Sequence, residues 1–275
     1  MGRIGFIGYG HMGSVLIKGF LKSRAIEPSR LILSTRTKGK LEALRDMYPE
    51  ILIAEDNRAV AKAVDLLFLC VGTLQVKSVL AEIQDSLRAD SHLVFISGGL
   101  ELASVEACFE GPVTKMMPTI LAEVLEGTTL VCHGDRVGQE ARKKLRDLLR
   151  GLGSVREIDE RRFEVGADLT SCAPGLLAAI CDHYVRAGMR RGDFDYEEAQ
   201  SMLSDSLYGT AKLLRENGGG FRSVIERVAT KGGATEAGTQ VFEEALPDVF
   251  ARAFSAMMER HESRKLSTRE QFGRG

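Results

Sequence analysis

The feature that most constrains the fold is a glycine pattern near the start of the chain, Gly8–Gly13, which reads G-Y-G-H-M-G. It directly follows the apolar run Ile4–Ile7 and opens a stretch whose apolar residues recur at helical spacing. A G-x-G-x-x-G turn between a strand and a helix allows the backbone to approach a pyrophosphate, which then meets free N–H groups at the helix N-terminus. The pattern therefore predicts a Rossmann domain that binds a dinucleotide.

Each glycine of this pattern has its own expected role. Gly8 allows the tight turn, Gly10 lets the backbone approach the cofactor, and Gly13 lets the helix pack closely against its strand. His11 and Met12 lie within the same loop and are expected to contact the cofactor, His11 through its backbone. The alternative is an incidental glycine-rich turn, which the flanking strand and helix make less favoured.

From Arg3 to about Glu157, short apolar runs alternate with amphipathic stretches, which is typical of a parallel sheet with helices on both faces. Leu66–Val71 is apolar at every position, as expected of a central strand that is covered on both faces. The predicted strands are Ile4–Ile7, Leu31–Ser34, Ile51–Ala54, Leu66–Val71, Leu93–Ser97, Val113–Met117, Thr129–Cys132 and Val155–Ile158.

After about Asp159 the strand-like runs end and long helical patterns follow. Helices are predicted at Pro174–Met189, at Tyr196–Glu216, near Phe221–Val228, from the loop Thr230–Gly233 to Glu244, and at Pro247–Arg264. We therefore expect an α/β fold with a Rossmann domain over residues 1–159 and an all-helical domain over 160–264. The polar residues 265–275 are expected to form a disordered tail.

Composition excludes several classes of function. A formal net charge of −1 offers no attraction for a phosphate backbone, so nucleic acid is not an expected partner. The five cysteines are widely spaced, with no C-x-x-C pair and no histidine at metal-ligand spacing, so we expect reduced thiols and no metal site. No targeting segment and no apolar run of about 20 residues is evident, which predicts a cytoplasmic protein without a membrane partner.

The end of the second predicted strand indicates which dinucleotide is bound. An enzyme that uses NAD carries an Asp or Glu there for the ribose 2′-hydroxyl. This chain has Ser34 and Arg36 in that region, and a hydroxyl and a guanidinium are suited to a 2′-phosphate. The sequence therefore predicts NADP(H), with a solvated surface arginine as the alternative.

Residues 3–262 as a whole resemble the pyrroline-5-carboxylate reductase family, which reduces a cyclic imine to proline with NAD(P)H. The resemblance rests on the order and spacing of several segments: Ile7–Gly13, Asp56-Asn57, Ser97–Leu100, Met117-Pro118, Glu126–Thr129, Gly209–Leu214 and Gly232–Thr235. It implies a Rossmann domain followed by a helical domain that interlocks two subunits, with the active site at the junction. A homodimer or a higher homo-oligomer is therefore expected.

The resemblance also implies roles for individual residues. Asn57 would contact the adenosine side of the cofactor, Cys70 and Val71 would line the nicotinamide end, and Thr235 would hydrogen-bond near the imine nitrogen. Gly72 follows the central strand and is expected to join the cofactor site, although the family usually has Lys-Pro at positions 72 and 73.

Other positions also depart from the family pattern. Thr119–Leu121 replaces Asn-Thr-Pro, and Thr170–Gly175 replaces Ser-Gly-Ser-Gly-Pro-Ala. Lys231 replaces a proline, and Glu236 stands at an apolar position. Because these departures cluster at the inferred nicotinamide and substrate ends, weaker or different substrate use is expected.

The loop before the last helical stretch is the candidate substrate site. The backbone N–H groups of Gly232 and Gly233 are suited to a carboxylate, and Lys231 adds a cation. Ala234 follows in the same loop, and the hydroxyl of Thr235 would orient the substrate or relay a proton to the nitrogen. The alternative is a loop that leads into a helix capped by Thr235.

The expected function is NADPH-dependent reduction of a small cyclic imine, with no metal. A β-hydroxyacid dehydrogenase would need a catalytic lysine on the first long helix of the second domain, and Pro174–Met189 contains none. Two alternatives stay open: a reductase of the same fold acting on another small substrate, and a dinucleotide-binding protein without catalysis.

Overall fold

The computed structural model describes residues 2–273, apart from the side chain of Asn217. The chain divides into two compact units. One contains the residues up to Pro174 together with those from Met258 onward, and the other is Gly175–Met257.

The first unit is built on one eight-stranded sheet in the order β3-β2-β1-β4-β5-β6-β7-β8. Its strands are β1 (Ile4–Ile7), β2 (Leu31–Ser34), β3 (Leu52–Ile53), β4 (Leu66–Leu69), β5 (His92–Ile96), β6 (Val113–Met117), β7 (Gly127–His133) and β8 (Gly153–Glu157). Its helices are α1 (His11–Lys22), α2 (Glu42–Met47), α3 (Asn57–Ala63), α4 (Val76–Ile83), α5 (Leu102–Glu106), α6 (Gln139–Leu149) and α7 (Phe163–Ala167).

The strand order confirms the predicted Rossmann architecture. The order in which successive strands are added reverses between the parallel neighbours β1 and β4, and such sheets bind their ligands at this point. One expectation is wrong in detail, because β7 runs antiparallel to β6. The connection between these two strands consists of residues 118–126, and it is too short for the helical crossover that a parallel pair needs.

The sheet is covered on both faces, as its apolar strands predict. Phe6 and Phe68, on adjacent strands, stack with ring centroids 4.7 Å apart and pack with Phe20 of α1 on one face. The alternate residues Ile7 and Leu67 belong to the core on the other face. Because successive strand residues point to opposite faces, nearly continuous apolar strands are needed to fill both layers.

The second unit is helical, as predicted. Its helices are α8 (Ala173–Met189, from Gly175), α9 (Tyr196–Asn217), α10 (Gly220–Val228) and the first part of α11 (Ala234–Gly273). Asp195 caps α9 by accepting a hydrogen bond from the N–H of Glu198, and Gly218 ends this helix in the left-handed conformation. Tyr196 joins α9 to α8 through a 2.6 Å hydrogen bond to Asp182.

The C-terminal part of the chain differs from prediction. We predicted two helices separated before Pro247, but α11 continues through Pro247 as one helix. The expected disordered tail is also wrong over residues 265–273, which are helical and belong to the first unit. Their polar side chains bond to that unit, as Thr268 does to the carbonyl of Gly99, so polarity does not indicate disorder here. Residues 274 and 275 lie outside the described part.

The division between the units also differs from the predicted domain boundary at residues 159 and 160. The contacts place it after Pro174, because residues such as Phe163 complete the core of the first unit.

A further difference concerns Glu160–Met189, which is long and apolar enough to cross a membrane by length and composition alone. Within its most apolar stretch of 18 residues, about 22% is buried, which leaves much of the apolar surface exposed.

Candidate cofactor and substrate sites

The glycine loop between β1 and α1 is fixed by backbone packing. Gly8 has φ +101°, and its N–H donates a 2.9 Å hydrogen bond to the carbonyl of Ser34. A Cβ at Gly8 would collide with the carbonyl of Cys70, and one at Gly13 would collide with the carbonyl of Gly8. A Cβ at Gly10 would meet nothing within 4 Å. Gly8 and Gly13 therefore hold the loop in place, while Gly10 leaves open space beside it.

The N-terminus of α1 is suited to binding an anion. Gly10 occupies the N-cap position, so no side chain caps the first turn, and no acidic residue lies within it. Helix N-terminal N–H groups that lack a side-chain partner, together with the helix dipole, attract negatively charged groups. Because Gly10 leaves its space open, a phosphate can approach these N–H groups closely.

A cleft of about 550 Å³ begins at this loop and follows the carboxyl ends of β1, β2 and β4. Three cations, Arg36, Lys38 and Lys40, lie along its rim, and no ion pair among residues 2–273 engages any of them. The predicted cofactor residues that it brings together are Gly8, Gly10, Ser34, Arg36, Asn57, Cys70, Val71 and Gly72. The cleft is also lined by Glu55, Asp56 and Glu82. The three cations on its rim are suited to the phosphates of NADP(H), and to the additional phosphate of that cofactor in particular.

The far end of the cleft contains a contact that the sequence did not predict. The Ser34 hydroxyl donates a 2.7 Å hydrogen bond to Asn57, and the Asn57 amide donates a 2.8 Å hydrogen bond to Glu82. Ser34 is buried, so its hydroxyl lines the cleft with its proton already engaged. Glu82 is 25 residues from Asn57 along the chain, and no local sequence signal identifies it.

The other end of the cleft lies at the loop after β4. The N–H of Gly72 donates a 3.2 Å hydrogen bond to the Gln75 side chain, which fixes the turn that leads into α4. Burial raises the pKa of the Cys70 thiol, so Cys70 is neutral at physiological pH and contributes shape rather than reactivity. Gln75 was not predicted, although its spacing from Gly72 is that of a capping residue.

His11 and Met12 have different surroundings from the cleft residues. His11 is exposed beside a smaller cavity of about 360 Å³, which it shares with Tyr9, Gly10 and Lys40. Met12 is half-buried and packs against the core under α1. Neither residue lines the larger cleft, so their contact with the cofactor stays a prediction.

The predicted substrate loop lies in the helical unit, at the start of α11. Lys231, Ala234 and Thr235 are exposed, and Gly232 has φ +75°. We expected the N–H groups of Gly232 and Gly233 to be available to a substrate carboxylate, and this is wrong for the loop as it stands. Their partners are within the loop and the first turn of α11, as described next.

The N–H of Gly232 donates a 2.7 Å hydrogen bond to the Glu236 carboxylate, and that of Gly233 donates a 2.9 Å hydrogen bond to the carbonyl of Thr230. Glu236 is the third residue of α11, and a glutamate at this position commonly bonds back to the loop before the helix. That spacing was the sequence signal that would have identified this contact. The Glu236 carboxylate therefore lies where we expected the carboxylate of the substrate.

Comparisons with known proteins agree with this arrangement. Residues 160–264 match the family model for pyrroline-5-carboxylate reductase dimerisation, and residues 3–98 match that for NADP oxidoreductase, coenzyme F420-dependent. The matched dimerisation region indicates a homo-oligomer. Pyrroline-5-carboxylate reductase 3 of Bacillus subtilis is 36% identical over 95% of this chain and 96% of its own length. ComE operon protein 4 of the same organism is 27% identical over 98% and 99%.

Solved structures show the same fold. Plasmodium falciparum pyrroline carboxylate reductase with NADP bound has a TM-score of 0.82 at 20% identity, and covers 98% of each chain. The pyrroline-5-carboxylate reductase of Coxiella burnetii has a TM-score of 0.87 at 22% identity, over 96% of this chain and 98% of that one.

Proposed function

We propose that this chain, which belongs to the pyrroline-5-carboxylate reductase family, is an NADPH-dependent reductase of a small cyclic imine. Reduction of pyrroline-5-carboxylate to proline is the reaction to test first. The observation that carries the proposal is the cleft with an open, uncapped helix N-terminus at one point and a cationic rim beyond it. Both features are suited to holding a phosphorylated dinucleotide.

The cofactor would be held by backbone at one point and by side chains at another. The N-terminus of α1, approached past Gly10, would hold the pyrophosphate. Arg36, supported by Lys38 and Lys40, would pair with the 2′-phosphate that distinguishes NADP from NAD. Cys70, Val71 and Gly72 would line the nicotinamide end. These assignments favour NADPH over NADH because no carboxylate follows β2 to repel the phosphate.

The bound nicotinamide would supply a hydride to the imine carbon, while the nitrogen takes up a proton, which leaves an amine and the oxidised cofactor. The role of the protein is to orient the imine and supply the proton. We propose Thr235 for this role, because its side chain is exposed in the first turn of α11 and no hydrogen bond among the described residues engages its hydroxyl. Such a hydroxyl can donate to the imine nitrogen and relay a proton from water.

Glu236 makes the substrate the least constrained part of the proposal. A substrate carboxylate would have to replace the Glu236 side chain at the N–H of Gly232, and Lys231 is the nearest cation in sequence to offset the repulsion. A small cyclic imine without a carboxylate would meet no such competition. The same residues therefore support an imine reductase whose preferred substrate differs from pyrroline-5-carboxylate.

We further propose that the homo-oligomer is at least a dimer built through the helical unit. Large apolar side chains are exposed on all four of its helices: Leu177, Ile180, Tyr184, Met202, Leu207, Tyr208, Phe221, Ile225, Val241, Phe242, Val249 and Phe250. A second copy covering this surface would explain it without a lipid or nucleic-acid partner. Sedimentation at micromolar concentration should give at least about twice the chain mass of 30.1 kDa, and a monomer would contradict the proposal.

The cellular location is proposed as cytoplasmic. All five cysteines are free, as expected of a protein kept in a reducing compartment. Fractionation of cells that express the chain with a small C-terminal tag tests this, and recovery in the membrane fraction would contradict it.

The enzymatic proposal is tested by following NADPH oxidation with a panel of cyclic imines that includes pyrroline-5-carboxylate and 1-pyrroline. We expect turnover with NADPH, and slower turnover with NADH at equal concentration. NADPH binding without turnover of any imine would favour the non-catalytic alternative, and absence of NADPH binding would contradict the proposal as a whole.

A further inference from the structure

The last helical residues of the chain, beyond the end of the family-model match at residue 264, contact two loops of the Rossmann unit. One is the loop after β4, which carries Gly72, a cleft residue that we assign to the nicotinamide end. The other is the loop after β5, which begins at Ser97. The Ser97 hydroxyl donates a 2.9 Å hydrogen bond to the Thr73 hydroxyl, so the two loops are joined to each other.

Thr268 makes the central contact with the loop after β5. Its side chain is 2% exposed, and its hydroxyl donates a 2.7 Å hydrogen bond to the carbonyl of Gly99. Gly99 has φ +80°, and a Cβ there would lie 2.8 Å from the Cβ of Arg264 on the same helix. The loop is therefore shaped to the surface of the helix, and a side chain at Gly99 would separate them.

Gln271 makes the corresponding contact with the loop after β4. Its amide donates a 2.6 Å hydrogen bond to the carbonyl of Leu74, which lies in the turn that starts α4. Lys77 of α4 donates a 2.8 Å hydrogen bond to the carbonyl of Gln271 in return. Gln75, in the same turn, accepts the hydrogen bond from the N–H of Gly72. Gln75 also lines the cleft, so the turn that the helix contacts is itself part of the cleft wall.

The helix is held in this position by contacts with three carboxylates of the same unit, two of which are buried. His261 bonds to the fully buried carboxylate of Asp168 at 2.8 Å, and Lys265 lies 3.5 Å from the buried carboxylate of Glu164. Arg269 pairs with Glu101, which lowers the pKa of that carboxyl. A buried carboxylate that loses its partner destabilises the fold, so the pairs with Asp168 and Glu164 keep the helix end in one place.

We propose that residues 265–273 position the nicotinamide end of the cofactor site, with Thr268 as the principal positioning residue. Thr268 holds the loop after β5, Gln271 holds the loop after β4, and the Ser97–Thr73 bond makes the two loops move together. The proposal rests on the proposed use of NADPH, but it concerns the half of the cofactor that the cationic rim does not contact. The proposal therefore predicts that loss of these contacts weakens binding of the nicotinamide half of the cofactor and leaves binding of the adenosine half unchanged.

The test compares NADPH with adenosine 2′,5′-bisphosphate, which is the adenosine half of NADPH with its 2′-phosphate. Thr268→Val keeps the shape of the side chain and leaves the buried carbonyl of Gly99 without its donor. NADPH should bind about tenfold more weakly to this variant, while the half-cofactor binds as it does to the original chain. Thr268→Ser, which restores a hydroxyl, should recover most of the affinity for NADPH.

The matched control is Ser267→Ala. Ser267 is exposed one position earlier, and its hydroxyl bonds to the carbonyl of Ser263 in the same helix. Its removal should leave both affinities unchanged. Gln271→Ala is a second variant that weakens the other loop, so the proposal stays testable if Thr268→Val fails to fold. A melting transition like that of the original chain establishes folding for each variant.

Several results would overturn the proposal. NADPH affinity within about twofold of the original in both Thr268→Val and Gln271→Ala would show that the helix end has no influence on the site. Equal weakening of NADPH and the half-cofactor would indicate a general structural role. A chain that binds NADPH but reduces no imine contradicts the proposed substrate alone, because this test reads binding without turnover.

Discussion

Replacement of Arg36 by alanine tests the preference for NADP(H) at the residue on which it most depends. Arg36 lies on the rim of the cleft, is exposed, and has no ion-pair partner among residues 2–273. A charge-assisted contact of a guanidinium with a phosphate contributes about 1.5–3 kcal/mol to binding. Because Lys38 and Lys40 remain on the same rim, we expect a loss near the lower limit, about 1.5–2 kcal/mol, or about 10- to 30-fold weaker binding of NADPH.

The assay is fluorescence titration of NADPH and NADH with the original chain, with Arg36→Ala and with Arg45→Ala. Arg45 is an exposed arginine of α2 that does not line the cleft, so it controls for the loss of one surface charge. NADH affinity should stay within about twofold in all three proteins, since NADH has no 2′-phosphate. The effect on NADPH should shrink in 1 M salt, where the screening length falls to about 3 Å. Unchanged NADPH affinity in Arg36→Ala would refute the assignment.

Three further predictions concern the substrate loop and the sheet. Thr235→Val should lower kcat/KM by about 10²–10⁴-fold with NADPH affinity unchanged, and a loss below about threefold in steady-state assays would reduce Thr235 to a helix-start residue. Glu236→Gln should raise kcat/KM for pyrroline-5-carboxylate relative to 1-pyrroline by about tenfold; an unchanged ratio, or the same change in Glu243→Ala on the exposed face of α11, would contradict it. Burial lowers the pKa of His92 to about 4, below its unfolded value of about 6.5, so His92 stabilises the fold above pH 6.5 and that contribution is lost as the pH falls toward 4. Urea unfolding should show stability falling by up to about 1.4 kcal/mol per pH unit in this window, and a slope that persists undiminished in His92→Asn would contradict this.

The parts of the fold that the sequence predicted are those specified by neighbouring residues. The bounds of β1, β2 and β6 follow directly from apolar runs, and the glycine loop is recognisable because its strand and helix flank it in sequence. The antiparallel direction of β7 was also encoded locally, in the short connection of residues 118–126. The alternation of apolar runs and amphipathic stretches before it nevertheless favours a uniformly parallel sheet.

The parts that were missed depend on contacts between residues distant along the chain. Thr268 and Gly99 are 169 positions apart, and the polar residues around Thr268 have the composition of a solvated tail until the carbonyl they bind is known. The hydrogen bond between Asn57 and Glu82 likewise depends on how α4 packs next to α3. Glu236 is the exception, because its spacing from Gly232 is a local signal.

The most direct test of imine reduction by this chain follows the hydride itself. The chain is incubated with pyrroline-5-carboxylate and NADPH that carries deuterium at the transferred position of nicotinamide carbon 4, and the product is examined by mass spectrometry. We expect proline with one deuterium at carbon 5, formed in equal amount to the NADP⁺ released, and unlabelled proline when ordinary NADPH is used. Proline without deuterium, or oxidation of the cofactor without any reduced amine from pyrroline-5-carboxylate or 1-pyrroline, would contradict it.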